Sequence, residues 1–220
     1  IVTEQGTYLY WEKAGIELWG QENPQQELIG LNPHFAGPAR MKVGLTAPVA
    51  RPNDTPLDGA WHGWANPPTD GESALSGLGD YPFVFDCPDF LLTRPKVESV
   101  REKVATVQIT AFAHDITAHA DAAAYHAATT VDGKPGFASQ SFVPAGLWSK
   151  DGPPTAHAIF AGHVVDAQTV RNPLTSRTFQ HLLVETLGGQ VDVVASSELL
   201  PQPVSAGQII NGQFWLSGKI

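Results

Sequence analysis

The sequence predicts a mainly β protein with one or two short helices. Its 220 residues include 21 glycines and 18 prolines. Four asparagines are followed directly by proline, a pair that starts turns and favours extended backbone before it. Between these turn signals lie short segments rich in aromatic and β-branched residues. This spacing of turn signals favours many short strands joined by tight turns over long helices.

The first half of the chain contains several predicted strands and one helix. The segment TYLYWEKAGIELWGQ predicts two strands with a turn near residues 13–15, and further strands are expected at 27–32 and 41–45. Strand character returns in YPFVFDCPDFLL (81–92), and residues 104–116 alternate as a strand does. Asp121 predicts the N-cap of a helix in AAAYHAA.

Residues 46–80 are predicted to form a long Pro/Gly-rich loop, because the segment has no sustained hydrophobic period. We assign this loop to an N-terminal β-rich domain at 1–150. A second domain is predicted at 156–220, after the linker SKDGPPT.

The C-terminal segment has the clearest strand pattern. Three strands are expected in succession, the last two joined at Gly188-Gly189, before a short turn and a final apolar strand in GQIINGQFWLSGKI. Three meandering strands followed by a returning strand resemble an OB-fold, which is a small Greek-key β-barrel. The resemblance covers 156–220 and is architectural. It implies that Phe214 and Trp215 belong to a strand that closes the barrel.

Composition argues against several kinds of partner. The chain carries 13 Lys+Arg against 22 Asp+Glu, so it is acidic and lacks the basic stripe that nucleic-acid binding requires. No run of 18 apolar residues indicates a membrane span, and the first residues do not resemble a signal peptide. We therefore expect a soluble cytoplasmic protein that binds neither nucleic acid nor membrane.

Two groups of residues are candidates for a site. His114, Asp115 and His119 offer imidazole and carboxylate groups for a metal ion, although their spacing matches no recognised metal motif. Trp61, His62 and Trp64 lie in the predicted loop and offer an aromatic surface for a ligand.

The sequence does not determine the function. It contains no recognised catalytic motif, so we expect a non-catalytic protein without a cofactor that acts by binding or assembly, with another protein or a second copy as its partner. One alternative is a metal-assisted hydrolase that uses His114, Asp115 and His119. Another is a carbohydrate-binding module that uses Trp61 and Trp64.

Overall fold

A computed structural model of the chain describes residues 1–68, 79–99, 104–148 and 152–220. It confirms a mainly β protein with short helices. The strands are β1 (Thr7–Lys13), β2 (Ile16–Glu22), β3 (Leu28–Phe35), β4 (Met41–Val49), β5 (Ala60–Ala65), β6 (Pro82–Asp86), β7 (Val104–His119), β8 (Ser141–Val143), β9 (His157–Arg171), β10 (Thr178–Thr186), β11 (Gly189–Ser196) and β12 (Ile209–Lys219). The helices are α1 (Phe90–Ser99), α2 (Ala122–Thr129) and a 3₁₀ turn at Ala145–Trp148. None of the helices in the described residues is long and apolar enough to cross a bilayer.

Strands β1, β2 and β3 form a separate antiparallel sheet. The predicted hairpin is present, and its two turn residues, Ala14 and Gly15, have φ angles of 55° and 76°. Two residues with positive φ are typical of the type I′ turn, whose twist matches that of the strands it joins.

The other nine strands form one large mixed sheet. Within it β9, β10 and β11 meander, and β12 returns to lie beside β9, which is the strand order of a Greek key. Strand β7 closes this group into a ring of five strands, because it runs parallel to β11 and antiparallel to β12.

Strands from both predicted domains therefore share the large sheet. The ring takes β7 from 1–150 and four strands from 156–220. The main apolar core likewise contains Met41 and Val107 together with Phe160 and Leu182. The predicted boundary near 150–156 does not separate two sheets, and residues 149–151 lie outside the described part of the chain.

Two parts of the predicted loop 46–80 are strand. Strand β4 continues to Val49, and all of β5 lies inside the segment. Pro48 is tolerated because, among the described residues, β4 pairs with β7 only over residues 41–44, so beyond that point no described strand needs an N–H donor from that side of β4. Residues 69–78 of the predicted loop lie outside the described residues.

Helix α1 replaces the end of a predicted strand. Strand β6 ends at Asp86, and the backbone carbonyl of Asp89 accepts hydrogen bonds from the N–H groups of Leu92 and Thr93 as the helix begins. Pro95 lies inside this helix. Because proline is strongly unfavourable in a helix interior, its presence concealed the helix in the sequence.

The predicted helix after Asp121 is confirmed as α2. The Asp121 side chain accepts a hydrogen bond of 2.8 Å from the Ala124 N–H, as an N-cap residue does. Tyr125 is the buried residue of this short helix and packs on Ala161 of β9 and Ile209 of β12.

The final strand, β12, lies at the centre of the large sheet rather than at its edge. It pairs with β6, β7 and β9. Phe214 is fully buried, and its ring stacks on Phe160 with the two centroids 3.9 Å apart. The apolar terminus is therefore ordered by its burial in the core.

We predict that Phe214→Ala lowers the free energy of unfolding by about 3–5 kcal/mol, because it removes a buried ring and leaves a cavity. Trp148→Ala removes a larger ring that is 65% exposed, and it serves as the control. We expect this control to cost about 1 kcal/mol or less. Denaturant unfolding measures both changes, and equal losses would contradict the assignment of β12 to the core.

Candidate functional site

The solvent side of the three-stranded sheet is apolar. Side chains alternate between the two faces of each strand, and the pairing register places Gly20 between Leu9 and Leu31, and Leu18 between Trp11 and Pro33. We call this surface the apolar face; it consists of Leu9, Trp11, Leu18, Gly20, Leu31 and Pro33. Leu9 is 44% exposed and Leu31 is 55% exposed. Leu28, at its edge, is 66% exposed.

The opposite side of the same sheet contains buried polar groups beside aromatic rings. Glu17, Gln21 and His34 lie on this inner face and are at most 4% exposed. Trp19 lies among them, contacts Tyr8 edge to face and packs with Leu57 in a small apolar cluster. A sheet with one solvated face usually exposes its polar side, so three buried polar groups opposite exposed leucines are unusual.

Each buried polar group of the inner face has a partner outside the sheet. Glu17 accepts hydrogen bonds from the Lys219 ammonium group at 2.8 and 3.0 Å. Gln21 donates to the Asp58 carboxylate at 2.7 Å and accepts from the Thr55 hydroxyl at 2.5 Å. Burying these groups is therefore compensated by hydrogen bonds, as buried polar groups require.

His34 is the central contact between the sheet and the ring. Its Nδ1 lies 2.9 Å from the Ser217 hydroxyl, and its Nε2 is hydrogen-bonded to Gln108 Oε1. Gln108 Nε2 donates to the Asp192 carboxylate at 2.6 Å, so its oxygen faces the imidazole. The network thus fixes a neutral His34 with its proton on Nε2.

Asp192 joins this network to the far side of the ring. Its carboxylate is fully buried and accepts hydrogen bonds from His181 Nε2 at 2.7 Å and from the Ala39 N–H at 3.0 Å. We call His34, Gln108, His181, Asp192 and Ser217 the polar junction. It ties β3 and the segment before β4 to four strands of the large sheet.

The surroundings of His34 and of the neighbouring Glu17 shift the pKa values of both groups. Burial lowers the pKa of His34 from 6.5 to about 4, although the Gln108 hydrogen bond and the charges of Glu17 and Asp192 act in the opposite direction. Burial alone would raise the pKa of Glu17, but hydrogen bonds from Lys219 and Trp19 outweigh it and lower this pKa. At neutral pH the neutral imidazole of His34 therefore lies near the Glu17–Lys219 ion pair, which is outside the junction.

The structure separates the two tryptophans of the aromatic candidate site. Trp61 is 1% exposed and packs on Phe90 in the core, whereas Trp64 is half-buried on the opposite side of β5. His62 lies on the same side as Trp64, and its Nδ1 is 2.6 Å from the Thr46 hydroxyl. Burial lowers the pKa of His62. Trp61 and Trp64 therefore do not form one stacking surface.

The candidate metal ligands are not brought together. His114 is exposed and stacks on His157, and Asp115 is exposed beside it. His119 Nε2 is instead 2.7 Å from Asn211 Oδ1. Among the described residues, no group of three or more histidine, cysteine, aspartate or glutamate side chains is placed to hold a metal ion.

Comparison with known proteins adds no assignment: no family model matches the chain, and no curated protein or solved structure shows significant similarity to it.

The sequence predicts the strands that carry the apolar face, but it does not predict that this side of the sheet is exposed. The segment Leu18-Trp19-Gly20-Gln21 is apolar on both sides of the strand, so alternation does not show which side is buried. A signal was available in Glu17, Gln21 and His34, which share one face. Their partners lie up to 202 residues away along the chain, which hides the network from local patterns.

We predict that His34 makes the protein less stable as the pH falls from about 6.5 to 4. Over this range the unfolded chain binds a proton at residue 34 and the folded protein does not, so the free energy of unfolding drops by up to about 3 kcal/mol. His34→Gln should lack this contribution. Unfolding curves of both proteins at several pH values give the difference.

His126→Gln is the matched control, because His126 is exposed on α2. It should retain the pH dependence of the unaltered protein. An identical pH dependence in His34→Gln and the unaltered protein would count against a neutral, buried His34.

Proposed function

We propose that the protein acts by binding and assembly, and that the apolar face is the contact surface for a second copy of the chain. The exposed leucines of the three-stranded sheet carry this proposal. Polar groups of the inner face are hydrogen-bonded within the chain, whereas Leu9, Leu28 and Leu31 on the outer side are 44%, 66% and 55% exposed. Contiguous exposed apolar surface of this kind is typical of protein interaction sites.

The apolar face of one copy can contact the same face of another. Gly20 has no side chain and lies between Leu9 and Leu31. The position that a Cβ of Gly20 would occupy is 3.2 Å from the Leu9 Cβ and 3.6 Å from the Leu28 Cδ1, so these two leucines cover the middle of the face. In a two-fold dimer the same leucines of the two copies pack on one another, as isologous interfaces require.

Charges at the two ends of the face favour the same arrangement. Lys13 lies at the hairpin end of β1, and Glu22 lies at the opposite end of the sheet, paired with Thr7. A two-fold axis that lies in the plane of the contact and runs across the strands brings Lys13 of each copy towards Glu22 of the other. Opposite charges then meet at both rims, which favours this register over others.

The size of the face predicts a reversible dimer. Three strands of about five residues cover roughly 14 by 17 Å. This is smaller than the ~800 Å² that each partner contributes to a standard interface. We therefore expect monomer and dimer to exchange with concentration.

We also propose that the five-stranded ring is an OB-like barrel. The Greek-key order of β9 to β12 supports this, as does closure of the ring by β7. In this interpretation the barrel includes a strand from well before residue 156, and the three-stranded sheet is an addition docked on its outside.

We predict that Leu31→Glu weakens the dimer at least about 100-fold, because it places two charges, one from each copy, in an apolar contact. Leu174→Glu is the matched control, since Leu174 is 57% exposed on a distant turn. Sedimentation equilibrium over a wide concentration range measures the dissociation constants. A monomer at every concentration, or equal weakening by both variants, overturns the proposal.

A charge exchange tests the two-fold arrangement separately. Lys13→Glu and Glu22→Lys should each weaken the dimer, because each creates like-charge contacts at both rims. The double variant should recover most of the loss. Additive loss in the double variant would exclude this arrangement of the two copies.

A further inference from the structure

A cavity of about 270 Å³ lies between α2 and the outside of the ring. Its floor is a row of residues paired across β8, β9 and β12: Ser141, Ala161 and Asn211. Tyr125 packs on Ala161, so the open volume lies to one side of this contact. Tyr125 and Thr129 of α2 form the roof. Phe137, which is 60% exposed, lies at the rim.

The roof is fixed in place by one aromatic residue. Tyr125 packs on Ala161 and Ile209, and its hydroxyl donates to the Phe137 carbonyl at 3.0 Å. Tyr125 is the buried side chain of α2. The Tyr125 side chain therefore fixes the position of α2 against the strands.

The lining of the cavity defines the chemistry of what can enter. The described residues that line it are mostly apolar, and none of them carries a charge. An ionic ligand would lose its hydration there without a compensating partner. A cavity of about 150 Å³ is sufficient for benzene, so this cavity accommodates a somewhat larger ring compound.

Asn211 supplies one directed polar contact. When His119 Nε2 donates to Asn211 Oδ1 at 2.7 Å, the amide is oriented and its Nδ2 group is left to donate. No described residue accepts a hydrogen bond from Nδ2. An apolar pocket with one such group is the usual arrangement of a small-molecule site.

From these features we infer that the cavity is a binding site for a neutral aromatic compound that carries one hydrogen-bond acceptor, such as a carbonyl oxygen. The ring of the ligand lies beside Tyr125, against Ile159 and Phe137. The acceptor takes a hydrogen bond from Asn211 Nδ2. This site lies on the ring and is independent of the proposed dimer contact, so each proposal can fail without the other.

The test compares three probes of similar size by calorimetry and protein-observed NMR. Acetophenone has a ring and an acceptor, ethylbenzene lacks the acceptor, and benzoate carries a charge. We expect saturable binding of acetophenone, about 5–10-fold weaker binding of ethylbenzene for the loss of one hydrogen bond, and no binding of benzoate. Failure of acetophenone to bind, or equal binding of all three probes, overturns the inference.

Variants locate the probe. Asn211→Leu should abolish the preference for acetophenone over ethylbenzene, whereas Gln213→Leu, at an exposed position on the same strand, should preserve it. Ile159→Trp fills the cavity from β9 and should prevent binding of both probes. Should that variant not fold, Thr129→Trp fills the cavity from the roof instead. Unchanged acetophenone binding in a folded cavity-filling variant contradicts the assigned site.

Discussion

The arrangement of the two sheets depends on one buried carboxylate and the groups that hydrogen-bond to it. Asp192 is fully buried, and Gln108, His181 and the Ala39 N–H donate to it. A buried charge that loses a donor is costly, so each of these groups is held in place. A side chain on Gly37 would overlap the carboxylate, so the approach to β4 requires glycine there. His34 connects to Asp192 through Gln108, which positions the whole of β3.

Apolar burial and polar contacts have different roles in this molecule. Stacked rings such as Phe160 and Phe214 fill the inside of the large sheet, and this apolar burial supplies most of its stability. The contact between the two sheets adds directional hydrogen bonds to an aromatic contact of Phe35 with Phe179. If the smaller sheet packed on the rest of the chain through its opposite face, Glu17, Gln21 and His34 would lose their hydrogen-bond partners. The polar junction therefore fixes orientation, and exposure of the apolar face is its consequence.

The sequence predicted most strands because local patterns specify them. Ala14-Gly15 and Asp121 act on their immediate neighbours, and both were identified correctly. Other features depend on distant residues. Strand β7 completes the ring by pairing with strands about 80 to 110 residues later, which no local period reveals. Helix α1 was missed because Pro95 contradicts its pattern, and the apolar face was missed because the partners of Glu17 and His34 are remote.

A double-mutant cycle between His34 and Gln108 tests this account most directly, because it measures the contact that joins the two sheets. The free energy of unfolding is determined at neutral pH for the unaltered protein, His34→Leu, Gln108→Met and the double variant. The account predicts a coupling of at least about 1 kcal/mol between the two positions. Additive changes within about 0.3 kcal/mol would show that the polar junction does not orient the smaller sheet.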